Sequence, residues 1–204
     1  MAPSEEVRIP QLPLPLRWVG RPGLWEAGES GLSMNAGPRC DLFVDPGGSG
    51  PNALERPPML VFEPRGDFAL SARVAVDFAS TYDAGAIVLF RDELCWAKLC
   101  FERPPSGDPM VVSVVNRRVS DDCNHFAVAA SHIWLRIARG GDCFGFHAST
   151  DGSLWRLVRY FALDDPAGIS VGFEAQSPTG ERCCVRFDDI WYEAGRQTDL
   201  RCGG

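Results

Sequence analysis

Apolar residues in this chain recur at every second position over short runs, and nowhere do they recur at helical spacing for three turns. A period of two sends successive side chains to opposite faces of an extended strand. Residues 67–78 show it most clearly. Phe68, Leu70, Ala72, Val74, Val76 and Phe78 share one face, while Ser71, Arg73 and Asp77 share the other. Strand-like runs also cover 31–36, 40–44, 59–62, 84–90, 95–102, 110–117, 133–139, 142–150, 155–161, 169–176 and 183–193. Residues 84–90 are apolar throughout, which predicts a central strand covered on both sides. Residues 124–131 leave room for one helical turn at most. The 21 glycines and 16 prolines punctuate these runs, with hairpin signals at Gly140-Gly141-Asp142 and at residues 150–153. A dozen strands of this kind predict an all-β jelly-roll sandwich of two antiparallel sheets, a single domain over residues 12–193. Residues 1–11 and 195–204 are expected to be loose termini.

Charge and composition remove several function classes. The net charge of −7 opposes a phosphate backbone, so no nucleic-acid partner is expected. No apolar run approaches the roughly 18 residues needed to cross a bilayer, so no membrane partner is expected either. Glu5 and Glu6 stand where a secretory signal carries basic residues, and Pro10, Pro13 and Pro15 interrupt the apolar stretch behind them. The expectation is a cytoplasmic chain. Eight cysteines occur without a C-x-x-C pair, which speaks against a zinc site and for reduced, structural thiols. No cofactor and no metal are expected.

A succession of short strings extends the reading. Residues 66–74 (GDFALSARV), Tyr82-Asp83, Asp92-Glu93 and residues 96–102 (WAKLCFE) are followed in order by Ser113-Val114-Val115 and Ser120-Asp121. Residues 134–137 (WLRI), 149–152 (STDG) with Trp155, Val171-Gly172-Phe173, Gln176-Ser177-Pro178 and Phe187-Asp188 complete it. The series resembles a family of unknown function that includes a regulation-of-enolase protein and bacterial relatives found among sugar-degradation genes. The resemblance covers residues 12–193 and implies the concanavalin A-like lectin/glucanase sandwich. Some positions depart from the family pattern. Ala84-Gly85-Ala86 follows the Tyr-Asp pair, Phe90 stands where Arg is common, and Asp122 where Trp is common. Leu42 and Phe43 occupy the place of family aromatics.

The run 95–102 carries the most chemistry. Trp96, Lys98, Cys100 and Glu102 share one face, and Ala97, Leu99 and Phe101 the other. The second set reads as core. The first combines an aromatic, the one lysine among nineteen arginines, a thiol and a carboxylate. A ring stacks on a pyranose and charged groups meet its hydroxyls, so this face suits a sugar-binding groove. Lys98 and Glu102 lie about 13 Å apart along a strand and need separate partners. Asn116, Ser120, Asp121 and Asp122 are expected on a rim loop, with His147 bordering the groove. The expected function is non-catalytic binding of a small carbohydrate through Trp96, Lys98, Glu102, Asn116, Asp121, Asp122 and His147. The alternatives are a module that regulates a metabolic enzyme of the enolase type, and a glycoside hydrolase. For the last, the chain lacks the Glu-x-Asp-x-Glu strand of glucanases.

Overall fold

A computed structural model describes residues 6–48, 55–164, 166–195 and 199–203. Every regular element among them is a strand, and the strands form two antiparallel sheets of seven. The front sheet runs β1 (Arg17–Val19), β4 (Met59–Phe62), β13 (Ser170–Gln176), β6 (Ala84–Asp92), β7 (Cys95–Glu102), β8 (Met110–Arg117), β9 (Val119–Ala127). The back sheet runs β12 (Arg156–Ala162), β11 (Cys143–Ser149), β10 (His132–Gly140), β5 (Phe68–Val76), β14 (Cys183–Ala194), β3 (Gly31–Ala36), β2 (Trp25–Gly28).

Alternation decides what lies between the layers. Leu60, Phe62, Ile87, Leu89, Leu99 and Phe101 from the front meet Leu70, Val74, Leu135, Ile137, Phe146 and Phe187 from the back, all at most 2% exposed. Phe173 and Phe187 touch across the gap with ring centroids 4.8 Å apart. Burying each such side chain contributes about 1.5–3 kcal/mol before entropy is counted. The all-apolar segment 84–90 is indeed a central strand, buried along that length.

The structure differs from expectation at several elements. Residues 119–127, read as a loop with a possible helical turn beyond it, form the edge strand β9. Ser120, Asp121, Asp122 and Asn124 hide its period, because an edge strand with exposed faces needs few apolar residues. The short strands β1 and β2 carried no clear alternation. Residues 40–44 form no strand, although Cys40 makes isolated bridges to Glu55 and Ser177. Val7 and Ile9, placed in a loose N-terminal segment, are 1% and 3% exposed, and Val7 bridges Leu16. At the other end Gly203 is buried, and its carbonyl accepts a bond from Arg136 Nη1 at 2.6 Å. Residues 1–5, 49–54, 165, 196–198 and 204 lie outside the described residues, and with them parts of the expected loose termini. All eight cysteines are free thiols.

Candidate functional site

Strand register builds the outer face of the front sheet in level rows. One row reads Gln176, Ala84, Glu102, Met110, and the next reads Glu174, Ala86, Cys100, Val112. A third reads Gly172, Val88, Lys98, Val114, Asp122, and a fourth Ser170, Phe90, Trp96, Asn116, Ser120. Ala84, Ala86 and Cys100 are short side chains, so the middle of this face is shallow while longer polar groups stand around it.

Residues 37–48 cross over the face as a strap. At one end Cys40 exchanges backbone bonds with Ser177, at 3.3 and 3.2 Å. At the other, Ser120 N donates to Val44 O at 2.9 Å, and Val44 N to Ser120 Oγ at 2.9 Å. Pinned at both ends, the strap lays Leu42 against Met59, Val61, Val88, Phe90 and Trp96. It directs Asp41 to the lysine: Lys98 Nζ donates to Asp41 Oδ1 at 3.1 Å and to Gln176 Oε1 at 2.5 Å, with Glu174 Oε1 3.6 Å away. Gln176 uses its amide nitrogen to hold the Tyr82 carbonyl at 3.0 Å. Tyr82 sits at φ 67°, a strained conformation for an aromatic residue. Next to it the buried carboxylate of Asp83 fixes the turn by accepting from Ala79 N, Ser80 N and Ser177 Oγ at 2.9, 2.7 and 2.6 Å.

What remains between strap and sheet is a cleft of about 340 Å³. Lys98, Glu102 and Gln176 form its base, Asp41, Asp45 and Asp122 its acidic sides, and Phe43 and Tyr82 its aromatic walls, with Val114, Pro178 and Thr179 completing it. Phe43 and Tyr82 are 41% and 40% exposed, so their rings are available to a ligand.

Burial governs the ionisation here. Desolvation lowers the Lys98 amine, but Asp41 and Glu174 outweigh it and hold the ammonium well above its usual range. Desolvation pushes Glu102 up to about 8 and Glu174 up to about 7, against the opposing pull of Lys98. Asp122 is raised for the same reason. At neutral pH the cleft therefore offers a fixed ammonium and a Glu102 carboxyl that retains its proton.

Of the residues singled out from the sequence, the cleft gathers Lys98, Glu102 and Asp122. Trp96 shares their face but is 1% exposed beneath Leu42, with its Nε1 unpartnered and its ring 5.8 Å from Lys98 Nζ. It packs under the strap and presents no stacking surface. Asn116 is fully buried, donating to Leu94 O at 3.1 Å and accepting from Ser120 at 3.2 Å. Asp121 projects from the other side of β9 and pairs with Arg159 at 2.8 Å. His147 belongs to the back sheet, where Nε2 donates to Leu200 O at 2.7 Å. These three do not reach the cleft. Asp41, Phe43, Asp45, Tyr82 and Gln176 were missed as site residues, though Tyr82-Asp83, Gln176-Ser177-Pro178 and Phe43 were among the residues compared with the family pattern.

The family model described as a protein of unknown function (DUF1349) matches residues 18–194. No curated protein matches the chain. Among solved structures, a functionally unknown protein from Saccharomyces cerevisiae aligns at 21% identity and a TM-score of 0.80, covering 89% of this chain and 97% of that one. The Bacteroides ovatus xyloglucan PUL GH43B aligns at 14% and 0.70, over 89% of this chain but only 37% of its own. The carbohydrate binding module CBM66 from Bacillus subtilis aligns at 13% and 0.54, over 87% and 95%. At these identities the likeness is one of fold.

Proposed function

Because the chain belongs to the DUF1349 family, whose description names no activity, we propose from the cleft itself that the protein binds a small carbohydrate there without transforming it. The carrying observation is the pairing of two half-exposed rings, Phe43 and Tyr82, with a polar base of Lys98, Glu102 and Gln176 in one cavity of about 340 Å³. Rings take the apolar face of a pyranose, and the ammonium, amide and carboxyl groups take its hydroxyls. Lys98 and Gln176 hold one another in place, and Gln176 also holds Tyr82, so little ordering remains to be done when a ligand arrives. The fold likeness to a carbohydrate binding module supports the same reading.

Thermal unfolding with a panel of neutral oligosaccharides tests it. A saccharide that raises the midpoint for the wild type, with the rise lost in Phe43→Ala and Tyr82→Ala, is the expected result. Enolase or another metabolic enzyme recovered with the protein, while no saccharide shifts the midpoint, would instead favour the docking role that the sequence resemblance implies. Turnover of a chromogenic glycoside that disappears in Glu102→Gln would replace binding with hydrolysis.

A further inference from the structure

We propose that the cleft selects saccharides bearing a protonated amine, with the Glu102 carboxylate as the receiving group. The inference rests on the carbohydrate reading above and narrows its ligand class. Four acidic side chains, Asp41, Asp45, Glu102 and Asp122, line the cavity against one cation, Lys98. That cation already donates to Asp41 and Gln176 and lies 3.6 Å from Glu174, so its charge is answered within the protein, which disfavours an acidic ligand. Glu102 is the opposite case. It is 8% exposed, it lines the cavity, and among the described residues no hydrogen bond or ion pair reaches its carboxyl group. An unpaired buried carboxyl facing a cavity lacks a donor, and an ammonium supplies both donors and charge.

Tyr82, held at the wall by Gln176, adds a ring on which a cationic sugar gains over a neutral one. The groups facing Glu102 from neighbouring elements point the same way. Lys98 and Cys100 stand on its own strand, Glu174 and Gln176 on β13, Asp122 on β9, and Asp41 and Asp45 on the strap. Acids outnumber the lone base among them. Burial keeps the proton on Glu102 at neutral pH while the cleft is empty. Docking of R–NH₃⁺ against this group therefore expels the carboxyl proton to solvent: the ammonium keeps its own protons, the carboxyl gives up one, and charge in the cleft is conserved.

Calorimetric titration of the full chain with a glucosamine oligomer and its N-acetylated counterpart tests this, at about pH 6, where the free amines are protonated. Repeating each titration in buffers of different ionisation enthalpy counts the protons exchanged. The expected result is a preference of about tenfold or more for the amine form, one charge-assisted contact's worth, with release of up to one proton per ligand. Glu102→Gln should bring the two affinities together and remove the proton release. Equal affinities in the wild type, or a preference for the acetylated form without proton release, would overturn the amine assignment and leave the carbohydrate reading standing. Failure of these and of every neutral saccharide in the panel would overturn both.

Discussion

Replacing Glu102 by Gln should remove a large part of a pH dependence built into the fold. The folded state holds the Glu102 proton more tightly than the unfolded chain does, because the site is desolvated and acidic. Stability therefore falls as pH rises from the ordinary carboxyl value of 4.5 through about 8, and this group adds no slope below or above that window. A displacement from 4.5 to about 8, at ~1.36 kcal/mol per unit, sets a ceiling of about 5 kcal/mol for the loss. The amide of the variant does not ionise, so the difference between the two proteins isolates this contribution. Glu174, raised to about 7, remains in both and leaves a shared decline at lower pH. Urea unfolding at intervals between pH 4 and 9 measures the effect. With a slope of about 2–3 kcal/mol per molar, the ceiling corresponds to roughly 2 M in midpoint. The wild type should lose midpoint relative to Glu102→Gln progressively up to about pH 8. Parallel curves for the two proteins would refute the argument that the buried carboxyl keeps its proton.

Lys98→Met leaves Asp41, Glu174 and Gln176 without their shared donor and should cost about 3–5 kcal/mol in urea unfolding at neutral pH. A loss below about 1 kcal/mol would mean the network adds little. Tyr82→Gly exchanges a ring for a residue at ease with φ 67°, so stability should stay within about 1 kcal/mol while saccharide affinity drops about tenfold or more by calorimetry. Gly172→Ala places a β-carbon against the Leu60 carbonyl of the neighbouring strand and should cost about 3 kcal/mol or more by thermal unfolding, since backbone cannot step aside.

Strand period made Lys98 and Glu102 legible as outward-facing neighbours of a buried strand, and the same rule correctly put Ala97, Leu99 and Phe101 in the core. It also grouped Trp96 with them. What the period does not encode is that Leu42, more than fifty positions earlier, joins the buried cluster that encloses that indole while Asp41 reaches the amine one row away. Residues 40–44 of the strap read as a strand yet form none, because the strap's bonds are divided among Glu55, Ser177, Gly180 and Ser120 and do not follow one neighbour in register. His147 shows a second limit. Alternation assigns a face of a strand without saying which sheet the strand joins, and β11 joins the back one. The hollow left a faint sequence trace in the short residues Ala84, Ala86 and Cys100, which become a shallow patch only once β6 and β7 are paired.

The most direct test of the cleft as a carbohydrate site is amide chemical-shift mapping during titration with a saccharide that stabilises the protein. The expected perturbations cluster on Asp41 to Asp45, Tyr82, Lys98 to Glu102, Asp122 and Gln176 to Thr179, the residues around the 340 Å³ cavity. Perturbations confined to the outer face of the back sheet, around Trp134, Trp155 and Trp191, would contradict it.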